Sequence, residues 1–298
     1  MILGILAGVG SAALWAVTSS LMAASAPRVD TLSMNAIRYI WGTIAVLMLA
    51  AIGNSLGYIR FMEIEIVLAL IISSVIGLVI GDSVYVGALR RLGLTRAFTV
   101  SLGVFIVLTY LLAIFWVDEK VTLWAAGGTV LVLIGVYSVA NLNKEGHSQE
   151  INPLKNESKR GWGLLLLASL LWAIATVWLR DAANGEDVLA VAALRVPAAG
   201  VVLMGLATIS QRSDLRRRAI SKRDHSILFF AGILGAGAAT ILFIFAIQEV
   251  GAGRAAVTTA IAPIFAVFLG VVFLKEKLNK KILVGVLIAS AGIILLGI

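Results

Sequence analysis

Residues 74–91, SVIGLVIGDSVYVGALRR, place one aspartate, Asp82, inside an apolar run that ends on two arginines. The run belongs to a longer apolar stretch, 66–89, which is long enough for a helix to cross a hydrocarbon core of about 30 Å. An acid in such a helix is costly to insert, so it usually faces a charged partner or water. The stretch therefore predicts a membrane-spanning helix with a special role for its one acid.

Composition extends this prediction to the whole chain. Of its 298 residues, 60% are hydrophobic and 13% are charged, and the mean hydropathy is +1.03. A soluble domain is closer to half apolar and a quarter charged. In lipid only helices and closed barrels satisfy their own backbone, and barrel strands would alternate apolar and polar residues, which these runs do not. We predict an all-α integral membrane protein with ten transmembrane helices, at 2–24, 32–53, 66–89, 95–117, 121–141, 161–179, 187–208, 226–248, 255–274 and 282–298.

The sequence contains few residues in positions suited to catalysis. Cysteine is absent, and the two histidines, His147 and His225, lie in polar connecting segments. We therefore expect no catalytic residues, no metal site and no cofactor. The pattern GxxxxGK[ST] is also absent, which excludes ATP drive within this chain. An intramembrane enzyme or lipid-handling protein is the rival class, and it would need a nucleophile–base pair or a metal cluster at the midplane.

The two halves of the chain resemble each other. A shift of 157 residues places LWAV (14–17) on LWAI (171–174), and the AIR that ends at Arg38 on the ALR that ends at Arg195. A shift of 158 residues matches a second set, in which Gly93, Arg96 and Ala97 correspond to Gly251, Arg254 and Ala255. The shared order predicts an internal duplication.

The duplication predicts two five-helix units, 1–141 and 161–298, joined by the polar linker 142–160. Because five is odd, the second unit enters the membrane from the face opposite the first. The result is an inverted repeat, a recurring plan of secondary transporters.

The recurring motifs, in their order along the chain, resemble the EamA repeat of the drug/metabolite transporter superfamily. They are Trp15 and Trp172 in each first helix, AIR and ALR in each second, GLTRA (93–97) and GAGRA (251–255) entering each fourth, and IAPIF (261–265) with the run from Glu276 to Gly285 in the second half. The resemblance covers nearly the whole chain. One departure is that the first half has no proline to match Pro263.

The resemblance implies ten helices and the export or uptake of small metabolites. It also implies a central cavity lined by helices 1, 3 and 4 and by their repeat mates 6, 8 and 9. Seven midplane polar or aromatic residues are our candidates for solute binding: Trp15, Thr18, Tyr85, Tyr110, Trp172, Thr176 and Thr258.

Ionisable groups inside the helices are candidates for gating or for static pairing. Arg38 and Asp82 lie at similar depths in consecutive helices, so we expect them to pair. Arg195 has no matching acid in its own half and shares the opposite face with Glu119, whereas Glu276 shares a face with Arg38. Alternating access would break one set of pairs as the other forms, but pairs that only orient helices remain the simpler alternative.

Proton coupling is a third role for Asp82. The first helix carries no acid, whereas the small multidrug relatives of the resembled superfamily have a glutamate there. A proton-coupled drug antiporter therefore stays an alternative and not the leading prediction.

Loop charges predict the orientation. Loops on the face that carries both termini hold four Lys and Arg residues, and loops on the other face hold eighteen. Short loops rich in Lys and Arg stay cytoplasmic, so both termini are predicted outside, although the resembled family usually has them in the cytoplasm. The same topogenic pattern accounts for the net charge of +8 without a nucleic-acid partner.

The sequence therefore predicts a multi-pass secondary transporter of the cell membrane that works by alternating access. Its partners would be a small-molecule solute and membrane lipid, with a proton as a further candidate, and it would act as a monomer or homodimer. We expect the solute to be an amino acid or a related compound, and we expect export on the basis of the resemblance alone.

Overall fold

The computed structural model describes residues 1–117, 155–213, 220–259 and 280–296, with scattered positions between 123 and 138 and between 262 and 269. Within these residues every regular element is helical and no strand occurs. The helices are α1 (Ile2–Ser25), α2 (Thr31–Ile52), α3 (Ile64–Leu92), α4 (Leu94–Val117), α5 (Lys155–Ala182), α6 (Val188–Ser213), α7 (Lys222–Val250), α8 (Ala252–Thr258) and α9 (Lys280–Leu296).

Seven of these helices, α1 to α7, are long and apolar enough to cross a membrane. They correspond to seven of the ten predicted spans. The other three predicted spans, 121–141, 255–274 and 282–298, fall wholly or partly outside the described residues, although α8 and α9 cover parts of the last two. Two helices begin four or more residues earlier than predicted, because polar residues continue their backbone hydrogen bonding beyond the apolar span: α5 starts at Lys155 and not at 161, and α7 starts at Lys222 and not at 226.

Capping residues and glycines set the helix boundaries. The Asp30 side chain accepts a hydrogen bond from Ser33 N at the start of α2, and the Ser221 hydroxyl accepts one from Asp224 N at the start of α7. Gly93 follows α3 with φ 79°, and Gly251 follows α7 with φ 89°. Positive φ suits glycine because it has no Cβ, so the chain turns sharply into the next helix at equivalent places in both halves.

Both α3 and α7 contain a π-helical segment, at Val75–Gly81 and Gly232–Ala239. The two segments start 157 residues apart, which is the spacing of the sequence repeat. In α7, backbone carbonyls of the segment accept side-chain hydrogen bonds: Ser11 donates to Ala239 O at 2.9 Å and Thr240 donates to Gly235 O at 3.2 Å. The small residues of GILGAGAA (232–239) favour close helix packing but do not indicate this change of helix type, which is frequent at functional sites.

Ionic contacts fix the direction in which neighbouring helices run. The Met1 ammonium lies 3.1 Å from Glu249 Oε2, and Arg28 Nη2 lies 2.6 Å from Asp224 Oδ1, so α1 and α7 run antiparallel. The hydrogen bond to Asp224 raises the pKa of the Arg28 guanidinium, which keeps this contact charged. Arg90 Nη1 donates to Val29 O at 2.8 Å, so the ends of α1 and α3 meet at the same side of the molecule.

The two halves of the chain interlock through close approaches of small residues. Helix α2 packs on α6 and α7, where a Cβ on Gly42 would come within 2.6 Å of Ala236 Cβ. Helix α5 packs on α3 and α4, where the Ser169 hydroxyl donates to Ser101 O at 3.0 Å. Small residues allow such approaches between helices in lipid, where hydrophobic burial provides no drive.

Gly232→Ala tests the close contact between α7 and α2. A Cβ there would lie 2.4 Å from Arg38 O and 2.8 Å from Trp41 Cβ, and neither atom can rotate away. Overpacking of this kind costs about 1–3 kcal/mol, so we expect a melting temperature several degrees lower in detergent micelles. Gly205→Ala is the matched control because nothing lies within 4 Å of its Cβ position, and its melting temperature should stay or rise. Equal melting temperatures for the two variants would contradict the packing.

Candidate functional site

A cavity of about 120 Å³ lies among the helices, with lining residues from each of α1 to α7. Cavities of similar size in proteins bind molecules such as benzene, so this one has room for a small solute. Its wall contains both members of four pairs of repeat mates, namely Trp15 and Trp172, Arg38 and Arg195, Gly77 and Gly235, and Tyr85 and Phe243. The cavity therefore lies between the two halves of the duplication.

Asp82 is the most densely bonded side chain of the cavity. It accepts a short hydrogen bond from Arg38 Nη2, with which it forms an ion pair, one from Tyr39 Oη at 2.7 Å, and one from Trp172 Nε1 at 2.8 Å. The Arg38 and Asp82 side chains are only 7% and 13% exposed. A pair buried to this extent is stable only when further hydrogen bonds satisfy its atoms, which Tyr39 and Trp172 provide.

Gly81 makes room for the Trp172 ring. A Cβ at this position would lie 2.9 Å from Trp172 Cδ1 and 3.0 Å from its Nε1. The indole can therefore approach α3 closely enough to reach Asp82, one residue further along. Since Asp82 belongs to the first half and Trp172 to the second, this hydrogen bond joins the halves at the cavity.

Arg195, the repeat mate of Arg38, lies in a different environment. It is 3% exposed, its Nη1 donates to the Ser73 hydroxyl, and its backbone carbonyl accepts from Ser74 Oγ at 2.6 Å. Its Nε is buried without a hydrogen-bond partner. Among the described residues Arg195 forms no ion pair, because the position that corresponds to Asp82 is occupied by Thr240.

Aromatic side chains form one continuous wall of the cavity. Trp15 lies 4.8 Å from Phe243, Phe243 6.5 Å from Phe105, Phe105 6.3 Å from Trp172, and Trp172 5.1 Å from Tyr85, measured between ring centroids. The rings are tilted or edge-on to one another, which is the favoured geometry for aromatic pairs. The wall offers apolar surface to a solute, with few polar groups beside it.

Most of the residues predicted from the sequence meet at this cavity. Five of the solute-binding candidates line it, together with three of the charged candidates: Trp15, Thr18, Tyr85, Trp172, Thr176, Arg38, Asp82 and Arg195. Arg38 and Asp82 form the contact that their depths predict. Glu119 and Glu276 lie outside the described residues, so their pairing with Arg195 and Arg38 remains a prediction.

Two solute-binding candidates lie away from the cavity wall. Tyr110 is five residues beyond Phe105, the last cavity-lining residue of α4, which places it about 140° further round that helix. The Thr258 hydroxyl donates to Ala255 O at 2.7 Å, and its side chain packs so tightly on α1 that a Cβ at Gly8 would clash with it. Both residues therefore take part in helix packing and do not line the cavity.

Sequence reasoning missed several residues of the wall, and three of them, Tyr39, Phe105 and Phe243, take part in the contacts described above. Tyr39 directly follows Arg38 and reaches the same carboxylate, and Phe243 is the repeat mate of Tyr85, so both carried a signal that could have found them. Phe105 carried none, because a phenylalanine in an apolar helix is unremarkable. In the part of the chain that the structure describes, no three His, Cys, Asp or Glu side chains are grouped so as to hold a metal ion.

Asp82→Asn tests the buried pair. The substitution leaves the Arg38 guanidinium buried without an anion, which costs about 3–5 kcal/mol, whereas Trp172→Phe removes one hydrogen bond to a charged group, which costs about 1.5–3 kcal/mol. In micelles the melting temperature should therefore fall most for Asp82→Asn. The double variant Arg38→Met with Asp82→Leu should recover much of the loss, since apolar replacement of a buried pair is often neutral. A single Asp82→Asn variant as stable as the wild type would contradict the pairing.

Comparison with known proteins gives a consistent result. The sequence model of the EamA-like transporter family matches residues 2–141 and again residues 159–298. An uncharacterized transporter of Archaeoglobus fulgidus is 24% identical over 234 residues, or 78% of this chain and 77% of that protein. A probable terminal-alkyne amino-acid exporter of Streptantibioticus cattleyicolor is 31% identical over 135 residues, or 45% of this chain and 43% of that protein.

A solved crystal structure of another protein shares the fold. It superposes with a TM-score of 0.75 at 17% identity, over 98% of this chain and 95% of that one. At this identity the likeness concerns the architecture alone.

Proposed function

Because the chain belongs to the EamA-like transporter family, we propose that it is a secondary transporter that exports an amino acid or a related small metabolite. The observation that carries the proposal is the cavity between the two halves, which is lined by repeat mates and contains charged groups deep among apolar helices. Ionisable groups at such depth usually mark solute or ion pathways. The relative described as a probable amino-acid exporter favours an amino acid as the solute and export as the direction.

Helix directions support an inverted repeat within this transporter. The ends of α1 and α3 meet at Val29 and Arg90, so these helices run in the same direction, whereas α1 and α7 run antiparallel. Helices α3 and α7 occupy equivalent positions in the two halves, and they therefore run in opposite directions. This arrangement favours two inverted five-helix units, 1–141 and 161–298, with ten helices in all.

Alternating access follows from such a plan, because exchanging the conformations of the two halves moves the opening of the cavity from one face to the other. Arg38 and Asp82 both belong to the first half, so their pair can persist through this exchange. The hydrogen bond from Trp172 to Asp82 crosses between the halves and must change when they move. We therefore assign the gating role to the Trp172–Asp82 contact and an orienting role to the Arg38–Asp82 pair.

A proton-coupled drug antiporter is the second candidate function. Among the described residues that line the cavity, Asp82 is the acidic one, so it is the group that a proton could titrate. A transport assay with and without a pH gradient separates this candidate from an exporter that does not use protons.

Location and orientation are part of the proposal. The excess of Lys and Arg on one face supports a multi-pass protein of the cell membrane with both termini outside.

Counterflow in proteoliposomes tests the proposed function. Vesicles that contain the purified protein are loaded with one unlabelled amino acid and diluted into a trace of the same compound in labelled form, with a panel of amino acids tested in turn. For at least one of them we expect transient accumulation of label, because a carrier exchanges solute through a single alternating site. Trp172→Phe should slow this exchange, and Arg180→Gln, whose side chain contacts Asn184 outside the cavity, should leave it unchanged.

Three other outcomes of the counterflow experiment would lead to different conclusions. Label that enters protein-containing vesicles no faster than empty ones, for every amino acid in the panel, would contradict the proposed substrate class. Entry that equilibrates without transient accumulation would indicate a channel. Accumulation that requires an inward or outward pH gradient would favour the proton-coupled candidate.

A further inference from the structure

The charges that line the cavity do not balance. Among the described lining residues, the charged side chains are Arg38, Asp82 and Arg195, which are two cations and one anion. Arg38 forms its ion pair with Asp82. The cavity wall in the described part of the chain therefore carries one uncompensated positive charge, on Arg195.

Asp82 is not available to neutralise that charge. One of its oxygens accepts from Arg38 and Tyr39, and the other accepts from Trp172. The guanidinium of Arg195 donates to the Ser73 hydroxyl and its backbone carbonyl accepts from the Ser74 hydroxyl, and neither serine carries a charge. A buried cation without an anion is costly, and a protein usually avoids that cost by pairing the cation.

We infer that Arg195 forms a subsite for the carboxylate group of the transported solute, an inference that rests on the proposed function. Arg195 lines the cavity, and its Nε is buried without a hydrogen-bond partner, as is the Nε of Arg38. A guanidinium presents a planar fork of N–H donors that matches a carboxylate, and it remains charged when buried. A solute carboxylate would provide both the missing anion and the missing hydrogen-bond acceptor.

The other residues of the cavity wall indicate which groups the solute carries besides its carboxylate. The aromatic side chains Trp15, Phe105, Trp172 and Phe243 offer apolar surface. Asp82, the acid of the described wall, already forms an ion pair with Arg38 and accepts from Tyr39 and Trp172, so a solute ammonium group finds no unpaired carboxylate there. The site therefore takes a monocarboxylate with an apolar body, and it recognises an amino acid chiefly by its carboxyl end.

A ligand series on the wild-type protein tests this subsite without any substitution. The series is L-leucine, 4-methylpentanoate, which lacks the amino group, and L-leucinamide, which lacks the carboxylate. Apparent dissociation constants come from the ligand dependence of the melting temperature of the full-length protein in micelles. We expect L-leucine and 4-methylpentanoate to bind with similar affinity, and L-leucinamide to bind about 10- to 100-fold more weakly, because a charge-assisted contact is lost.

Substitutions assign the effect to one side chain. R195Q should weaken L-leucine binding about 10- to 100-fold while leaving L-leucinamide binding nearly unchanged. R195K should lose less than R195Q, since lysine keeps the charge but not the planar fork. R180Q removes an arginine outside the cavity and should bind L-leucine as the wild type does. If R195Q does not fold, the ligand series and R195K still decide the question.

Three results would overturn the subsite: equal affinity of the wild type for L-leucine and L-leucinamide, equal affinity of R195Q and R180Q for L-leucine, or no binding of either carboxylate at millimolar concentration. The transport proposal fails in a different experiment. If a carboxylate binds through Arg195 but no counterflow occurs, the transport proposal is refuted and the subsite stands. If R195Q shows full counterflow, the subsite is refuted and the transport proposal stands.

Discussion

Asp82 joins the two halves of the chain at the cavity and pairs with its buried arginine, Arg38. Its carboxylate accepts hydrogen bonds from Arg38 and Tyr39 in its own half of the chain and from Trp172 in the other. Without an anion at this depth the buried Arg38 would have no counter-charge in the described structure, and the two halves would lose a polar contact in the middle of an apolar interface. Gly81, the last residue of a π-helical segment, leaves room for the Trp172 ring to reach this carboxylate. Because Asp82 pairs with Arg38, Arg195 is the charged group without an ion-pair partner among the described residues of the cavity wall.

The two halves of the chain share backbone features but differ in some of the side chains that line the cavity. The π-helical segments and the positive-φ glycines, Gly93 and Gly251, recur at equivalent places in the two halves. The arginine recurs as Arg38 and Arg195, but the acid of the cavity does not, since Thr240 in the second half corresponds to Asp82 in the first. In the transport mechanism that we propose, the duplication provides two equivalent halves, and the few residues that differ between them in the cavity contact the solute.

The sequence was sufficient to predict helices, which follow from the length and hydropathy of apolar runs, and contacts between residues at the same depth on neighbouring helices. Seven helices and the Arg38–Asp82 contact are of this kind, because each follows from position along the chain alone. It could not predict the Trp172–Asp82 hydrogen bond, which depends on how the halves pack. It placed Tyr110 and Thr258 at the cavity because helices that are apolar on all sides give no periodic signal of which face looks inward.

The most direct test of the account uses the absence of cysteine from the chain. Glu65 and Arg223 are exposed residues in the first turns of α3 and α7 and correspond at a shift of 158 residues. Single variants Glu65→Cys and Arg223→Cys are treated in intact cells with a maleimide that does not cross membranes. Two inverted halves around one cavity predict that Glu65→Cys reacts from outside, and that Arg223→Cys reacts only after the membrane is opened. Reaction of both cysteines from the same side would contradict the inverted halves and, with them, the alternating cavity.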